Sequence, residues 1–260
     1  MPDNRVFALC GKGGVGKTAL SACLARLLIA DPDRRVLAVD ADPAMGLADA
    51  LGMAVTTTVD HIRTRFIEEI QAGHSGTPEE VRARLDYAVF SALVERNNLA
   101  FLAVGRPETE GCYCQVNDFL KEIIASLAGH FDAVVIDGEA GIEQVNRRVM
   151  EGVTDLVLVS DLSARGLRVA ETIGSVAGTI LPPHRVHLFV NRVGDPEDLG
   201  KLSIPRSLVL AGWVSEDPLL MQRDMRGESL LDGPCTPTLE AVEKILCRLL
   251  EQENRAQGEA

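Results

Sequence analysis

A glycine-rich segment close to the start of the chain has the residue types and the spacing to bind a phosphate group. Gly11–Thr18 reads G-K-G-G-V-G-K-T and matches the pattern G-x-x-x-x-G-K-[ST]. Glycines let the backbone close around an anion, so that successive N–H groups point at the phosphate oxygens. In this pattern Lys17 reaches the β- and γ-phosphates, and the hydroxyl of Thr18 ligates Mg²⁺. The segment therefore predicts a site for a nucleotide polyphosphate and its Mg²⁺ ion.

The residues on either side supply the strand and the helix that such a loop needs. An apolar run, Val6–Leu9, precedes it, and a helical pattern from Ala19 to Ala30 follows it. The N-terminus of that helix adds free N–H groups and the positive end of its dipole. A purely structural glycine turn is the alternative, and the strand–loop–helix frame argues against it. The residues predicted to contact the nucleotide here are Gly13, Gly14, Val15, Gly16, Lys17, Thr18 and Ala19.

Apolar, β-rich runs recur along the chain and are separated by helical patterns. This alternation, with nearly continuous apolar strands, predicts an α/β fold with a doubly wound, mostly parallel sheet and helices on both faces. Residues 1–260 contain no linker long enough to divide them, which predicts one domain with a helical insertion at about 59–97. The predicted strands are 6–10, 35–39, 99–104, 132–136, 155–160, 186–190 and 207–211.

Two of these runs end in carboxylates. Asp40 and Asp42 follow the run Val36–Val39, and Asp137 follows Ala133–Ile136. The carboxyl ends of parallel strands gather at one sheet edge, where a carboxylate can hold a Mg²⁺-bound water or orient an attacking water. A solvated turn with a helix N-cap is the alternative for the first pair. Asp137 has the position expected of the carboxylate beside Mg²⁺.

The loop also contains an earlier lysine, Lys12. The string K-G-G-V-G-K-T resembles the deviant Walker A motif of the MinD/ParA/nitrogenase-iron-protein class of P-loop ATPases. In that class the early lysine crosses to the nucleotide of the partner subunit. The resemblance implies a face-to-face homodimer that binds and hydrolyses ATP, with Lys12, Lys17, Asp42 and Asp137 as catalytic residues. A solvated loop lysine is the alternative for Lys12 taken by itself.

The same resemblance implies roles for the carboxylates. By the match to switch I, Asp42 positions or activates the attacking water, and Asp40 supports the Mg²⁺ shell. The segment Asp137–Glu143 resembles switch II, which changes conformation when the γ-phosphate leaves. Gly141 within it can offer a close backbone N–H to that phosphate.

The resemblance also implies how the base is bound. Asn191, at the end of a late strand, would read adenine through its side-chain amide, and Arg192 beside it joins the predicted nucleotide site. A turn asparagine is the alternative. Trp213–Pro218 would line the other side of the base. One residue departs from the class, since Ala19 replaces a threonine that contacts the α-phosphate, a loss of about 0.5–1.5 kcal/mol.

Cys112 and Cys114 form a C-x-C pair after the predicted strand 99–104. Two thiolates at i and i+2 can bind one soft metal ion, and a two-fold dimer would bring four together. Four sulfur ligands suit Zn²⁺ in tetrahedral geometry and Ni²⁺ in square-planar geometry. A redox-active thiol pair is the alternative.

The string G-C-Y-C, together with D-G-E-A-G-I-E and K-G-G-V-G-K-T, is similar to the CooC family of nickel-insertion accessory ATPases for carbon monoxide dehydrogenase. The resemblance implies Ni²⁺ (or Zn²⁺) bound by Cys112 and Cys114, with apo-carbon monoxide dehydrogenase or acetyl-CoA synthase as the client. Two alternatives from the same ATPase class stay open. One is an electron-transfer ATPase with an iron–sulfur cluster between subunits, and the other is a MinD/ParA-type positioning switch.

Charge and hydropathy favour a cytoplasmic protein without a nucleic-acid or membrane partner. The net charge is −12, which opposes a broad phosphate-neutralising surface. The start of the chain lacks the pattern of a signal peptide, and no apolar run approaches the ~18 residues of a membrane span. The polar face of the last helical pattern, from Leu239 onward, is rich in glutamate, whereas a membrane-surface helix would carry Lys and Arg.

Overall fold

An eight-stranded sheet organises the part of the chain that the structure describes. The computed structural model describes residues 4–42, 44–73, 76–105, 122, 125–138, 152–178, 185–205 and 208–258. The strands are β1 (Arg5–Gly11), β2 (Val36–Asp40), β3 (Val94–Arg96), β4 (Leu99–Ala103), β5 (Ala133–Asp137), β6 (Asp155–Ser160), β7 (Val186–Val193) and β8 (Val209–Ser215). Their order is β3-β4-β2-β5-β1-β6-β7-β8, and every pair is parallel except β3–β4. The predicted mostly parallel α/β fold is therefore confirmed.

Helices cover both faces of this sheet. Alternating side chains of β1 divide between two cores: Phe7 and Leu9 pack on one face, Val6, Ala8 and Cys10 on the other. This is the period of two expected of a strand that is buried on both sides. The helices are α1 (Lys17–Leu28), α2 (Gly46–Leu51), α3 (Val59–Gln71), α4 (Pro78–Ser91), α5 (Ala164–Ala177), α6 (Pro218–Met225) and α7 (Pro237–Gly258), with a 3-10 turn at Pro196–Lys201.

Side-chain caps set where several helices begin. Thr77 accepts a hydrogen bond from the N–H of Glu80, whose carboxylate in turn accepts one from the N–H of Thr77, and Pro78 occupies the first turn. Thr236 accepts a hydrogen bond from the N–H of Leu239, at 3.2 Å, at the start of α7, whose first residue is Pro237. Residues close together in the sequence therefore determine where these helices begin.

The end of the predicted helical insertion is a strand. The segment 59–97 is helical in α3 and α4, but Val94–Arg96 pair with β4 in an antiparallel hairpin. Asn97 turns the chain in the left-handed conformation, with φ 54°. The helical prediction is therefore wrong for β3. Three residues are too few for the alternating pattern of a strand to be visible in the sequence.

The register of the parallel strands brings three carboxyl ends to one place. Asp40 on β2 pairs with Asp137 on β5, and Asp137 pairs with Leu9 on β1. β5 thus lies between β2 and β1, and the chain leaves all three strands at the same edge. In an open parallel sheet this is the edge at which ligands bind.

No helix in the described residues combines the length and apolar character of a membrane span.

A buried ion-pair network closes the opposite end of the sheet. The carboxylate of Asp155 accepts hydrogen bonds from Arg5 Nε at 3.0 Å and Thr154 Oγ1 at 2.7 Å, and His187 Nε2 lies 3.4 Å away. Arg185 also approaches it, at 3.4 Å. Burial acts to raise the pKa of Asp155, but the hydrogen bond from His187 and the charge of Arg5 hold that pKa below its ordinary value.

We expect Asp155→Ala to lower the free energy of unfolding by about 3–5 kcal/mol, because the buried guanidinium of Arg5 loses this carboxylate. Urea denaturation measures the change. Arg96→Ala is the matched control, since it removes the exposed ion pair with Asp232 at 2.8 Å and should cost less than about 1 kcal/mol. Equal effects of the two substitutions would contradict a stabilising role for the buried network.

Candidate functional site

The backbone of the loop after β1 is shaped for an anion. Gly14 and Gly16 adopt left-handed conformations, with φ 79° and 92°. A Cβ on Gly16 would also lie 2.3 Å from Asn191 Nδ2, so both the backbone angle and the space require glycine there. Helix α1 begins at Lys17, directly after Gly16. The first N–H groups of α1 and those of the loop can therefore face a common ligand.

Both lysines of the loop have partners within the chain. Lys17 is 7% exposed, and its Nζ donates to the carbonyl oxygen of Lys12 at 3.3 Å. Lys12 Nζ lies 3.1 Å from Asp161 Oδ2, just beyond the end of β6, and both side chains are about one-third exposed. Partial burial acts to raise the pKa of Asp161, but hydrogen bonds from Ser163 and Lys12 lower it below its ordinary value. An accessible carboxylate thus neutralises Lys12.

Asp137 and the first turns of α1 fit a Mg²⁺ ion. Asp137 Oδ1 accepts a hydrogen bond from Ser21 Oγ at 3.1 Å, and the Thr18 hydroxyl also interacts with this carboxyl. Asp137 Oδ2 is buried without a hydrogen-bond partner among the described residues. Burial raises the pKa of Asp137, although Thr18, Ser21 and the charge of Lys17 oppose the rise. A buried oxygen of this kind suits a cation, which Thr18 and Asp137 would hold and which would neutralise phosphate charge.

Ser21 is a site residue that the sequence reasoning missed. It is fully buried, and its hydroxyl fixes the orientation of the Asp137 carboxylate from 116 positions away in the chain. Its spacing in the sequence was the available signal. Ser21 follows Thr18 by three positions and Lys17 by four, which places all three on one face of α1.

Asp40 holds the start of the next loop. Its carboxylate accepts hydrogen bonds from the N–H groups of Asp42 at 3.1 Å, Leu47 at 2.9 Å and Ala48 at 3.4 Å. These contacts cap α2 and fix the chain between β2 and that helix. Burial raises the pKa of Asp40 to about 6. The backbone hydrogen bond from Asp42 lowers this pKa, and the neighbouring charge of Asp137 raises it further. The geometry therefore gives Asp40 a part in shaping the loop.

Asp42 is less constrained. It is half-buried, and Oδ1 accepts a hydrogen bond from the N–H of Ala44 at 2.9 Å. The preceding residue, Ala41, donates its N–H to the carbonyl of Asp137 at 2.9 Å. The loop that carries Asp42 is thereby tied directly to the end of β5. Asp40, Asp42 and Asp137 come together at the sheet edge that carries the glycine loop (the loop edge), as their positions after parallel strands predict.

Asn191 and Arg192, at the end of β7, both contact the glycine loop. Asn191 Nδ2 donates to the carbonyl of Val15 at 2.7 Å, and Arg192 Nη1 donates to the carbonyl of Gly14 at 2.9 Å. The side-chain oxygen of Asn191 accepts from the N–H of Arg192 at 2.9 Å. Adenine recognition by Asn191 stays a prediction. Its hydrogen bonds within the described residues use one amide proton and one oxygen lone pair, which leaves one of each.

Three of the predicted site residues, Cys112, Cys114 and Gly141, lie outside the described residues. Strand β4 runs parallel to β2, with Ala103 beside Asp40, so the chain leaves β4 at the edge that carries the glycine loop. Gly105 is the last residue described there, seven positions before Cys112. Within the described residues, no group of three His, Cys, Asp or Glu side chains is arranged to hold a metal ion.

Comparisons with known proteins identify the class of this site. The family model described as anion-transporting ATPase matches residues 4–140, more than half of the 260-residue chain. An uncharacterized ATP-binding protein of Methanocaldococcus jannaschii is 40% identical over 260 residues, covering 95% of this chain and 99% of the relative. The carbon monoxide dehydrogenase accessory protein CooC of Rhodospirillum rubrum is 29% identical over 263 residues, covering 97% and 98%.

The fold is shared with solved structures of the same class. The septum site-determining protein MinD of Pyrococcus horikoshii, complexed with Mg-ADP, superposes with a TM-score of 0.64 at 22% identity. The match covers 99% of this chain and 99% of that chain. At this identity the similarity concerns the fold.

We expect Asp40 to stabilise the nucleotide-free protein at low pH and to lose this contribution as the pH rises through about 6. Because burial raises the pKa of Asp40 to about 6, the folded chain binds this proton more tightly than the unfolded chain, whose aspartates titrate near pH 3.9. The stabilisation is complete below about pH 4 and is lost, by about 3 kcal/mol, as the pH rises through the folded pKa. Urea denaturation between these pH values measures the slope.

Asp40→Asn should reduce that slope, whatever it does to the absolute stability, and Asp137, whose pKa burial also raises, accounts for a remaining part. Asp49→Asn changes an exposed carboxylate on the same short helix, α2, and should leave the slope as in the natural chain. An unchanged slope in the Asp40 variant would contradict proton uptake at this buried carboxyl.

Proposed function

Since the chain belongs to the anion-transporting ATPase family of P-loop ATPases, we propose that it works as a homodimeric nickel chaperone. ATP binding and hydrolysis drive its cycle, and its client is carbon monoxide dehydrogenase or a similar nickel enzyme. The observation that carries the proposal is the similarity to CooC along the whole chain, combined with the C-x-C pair at Cys112 and Cys114.

Nucleotide binding uses the loop and the first turns of α1. The N–H groups after Gly14 surround the phosphates, while Lys17 exchanges the carbonyl of Lys12 for the β- and γ-phosphate oxygens. Thr18 and Asp137, whose Oδ2 is buried without a hydrogen-bond partner among the described residues, would hold Mg²⁺, which would neutralise phosphate charge. Asp42 lies on a loop tied to β5 and orients the attacking water.

The closed dimer needs Lys12 to leave Asp161. An ion pair exposed to this degree contributes only about 0.2–1 kcal/mol, so the charge of a nucleotide phosphate on the partner subunit can readily replace it. Asp161 then serves as the resting counterion of Lys12, and each subunit completes the nucleotide site of the other. This exchange gives ATP a differential interaction with the open and closed states, as a switch requires.

Closure also determines the metal site. β4 ends at the edge that carries the glycine loop, and Cys112 follows Gly105 by seven residues in the sequence, so at most about 25 Å of extended chain connects the C-x-C pair to that edge. Two pairs brought together in the dimer supply four thiolates for one Ni²⁺ or Zn²⁺ ion. ATP and metal are then coupled through the dimer, and hydrolysis lowers the metal affinity for delivery to the client.

We expect anaerobic titration with Ni²⁺ and a slowly hydrolysed ATP analogue to saturate at half an ion per chain in a dimer. Thiolate-to-metal charge-transfer absorption and native mass spectrometry report the binding and the stoichiometry. A Cys112→Ser/Cys114→Ser variant should lose the bound ion while it still binds nucleotide. Cys235→Ser, which changes an exposed cysteine elsewhere, should behave as the natural chain does.

Unaltered nickel binding in the double variant would disprove the C-x-C site, as would a strictly monomeric protein with ATP and metal both present. A broad absorption band near ~400 nm in protein purified with iron would instead favour the iron–sulfur alternative. ATP-dependent sedimentation with lipid vesicles or DNA, without any effect of nickel, would favour the positioning switch.

We expect Asp161→Asn to promote dimerisation, because it releases Lys12 from its counterion. The concentration of ATP analogue at which half the protein is dimeric should fall by up to about fivefold, as measured by analytical ultracentrifugation. Asp198→Asn removes a more exposed ion pair, with Lys201 at 2.7 Å, and serves as the control. Weaker dimerisation in the Asp161 variant would mean that this carboxylate acts in the closed state instead.

A further inference from the structure

Consecutive residues at the end of β7 hold the outer side of the glycine loop. A loop that turns its N–H groups toward an anion turns its carbonyl groups outward, and those carbonyls need partners of their own. The carbonyl of Gly14 accepts from Arg192 Nη1 and that of Val15 from Asn191 Nδ2, at 2.9 Å and 2.7 Å. Both bonds join parts of the chain more than 170 residues apart.

An irregularity in β7 lets two neighbouring side chains reach the same loop. In a regular strand, adjacent side chains point to opposite faces of the sheet. Between the pairs Val190–Trp213 and Val193–Ser215, three steps on β7 match two steps on β8, so one extra residue is inserted. Arg192 lies in this bulge with φ 58°, a left-handed conformation that a non-glycine side chain disfavours.

The side chains fit the loop closely. Asn191 is 8% exposed, and its amide nitrogen occupies the space that a Cβ on Gly16 would need. The guanidinium of Arg192 lies at the surface and spans to Gly14, whose carbonyl receives a charge-assisted hydrogen bond. Three successive loop residues, 14 to 16, are thus in contact with this dipeptide, and the strained backbone of Arg192 is what allows it.

We propose that Asn191 and Arg192 are positioning residues that set the shape of the phosphate-binding loop before the nucleotide arrives. They act on the loop carbonyls, so their effect reaches any ligand that carries the polyphosphate, whatever its base. The inference rests on nucleotide binding at this loop, as in the proposed function, and is independent of nickel and of dimerisation.

The test compares a nucleotide with a ligand that has no base. Binding of Mg·ADP and of inorganic tripolyphosphate is measured by displacement of a fluorescent ADP analogue from the full-length chain. Arg192→Ala and Asn191→Ala should each weaken both ligands by about tenfold, the loss expected for one strong hydrogen bond. Hydrogen exchange at the amides of residues 14–18 in the nucleotide-free variants should be faster by a similar factor.

Arg192→Gly separates the side chain from the backbone strain. Glycine accepts the left-handed conformation freely, so this variant keeps the bulge but loses the guanidinium, and it should weaken tripolyphosphate as Arg192→Ala does. Asn97→Gly relaxes another left-handed residue, in the exposed β3–β4 turn, and should leave both affinities unchanged. Thermal unfolding of every variant verifies that the fold is intact.

Tripolyphosphate binding and loop exchange equal to those of the natural chain would overturn the proposal, and a loss confined to Mg·ADP would show a base contact instead. Wild-type binding by Arg192→Gly would likewise overturn it. If the natural chain bound neither ligand, both the proposed nucleotide site and the positioning role of Asn191 and Arg192 would be disproved. Normal binding in all variants would disprove the positioning role alone.

Discussion

The whole molecule is arranged around one backbone requirement, that the N–H groups after β1 converge on an anion. A short loop can do this only if glycine supplies the left-handed angles at residues 14 and 16 and if the outward carbonyls find donors elsewhere. Asn191 and Arg192, from the end of β7, provide donors for the carbonyls of Val15 and Gly14. The strand order β2-β5-β1-β6-β7 places the end of β7 within reach of the glycine loop after β1.

Charge at this edge is balanced for a ligand. Asp40 and Asp137 are buried side by side on paired strands, and burial raises the pKa of both. Asp40 is compensated by backbone N–H groups, whereas one oxygen of Asp137 is buried without a hydrogen-bond partner in the described part of the chain. The two acids thus differ in environment: one shapes a loop, and the other is prepared for a cation.

The opposite end of the sheet shows the contrasting solution. There the buried carboxylate of Asp155 is surrounded by Arg5, Thr154 and His187, and its pKa is held low. Such a network favours one fixed arrangement, because removing either Arg5 or Asp155 takes a compensating charge away from the other, which is buried. The loop edge instead uses contacts that a ligand can replace, as with Lys12 and Asp161. Rigidity at one end and exchangeable partners at the other are compatible with an ATP-driven switch.

By itself, the sequence determined what depends on neighbouring residues. The glycine spacing, the apolar runs and the acids after β2 and β5 are local patterns, and the structure has each of them where it was predicted. The short strand β3 was missed, since three residues show no period. Only the tertiary structure decided that Ser21 orients Asp137, that Asp161 neutralises Lys12, and that Asn191 and Arg192 contact the loop. These pairs are separated by more than 100 residues, and their meeting depends on the strand order and on a bulge, which no local pattern encodes.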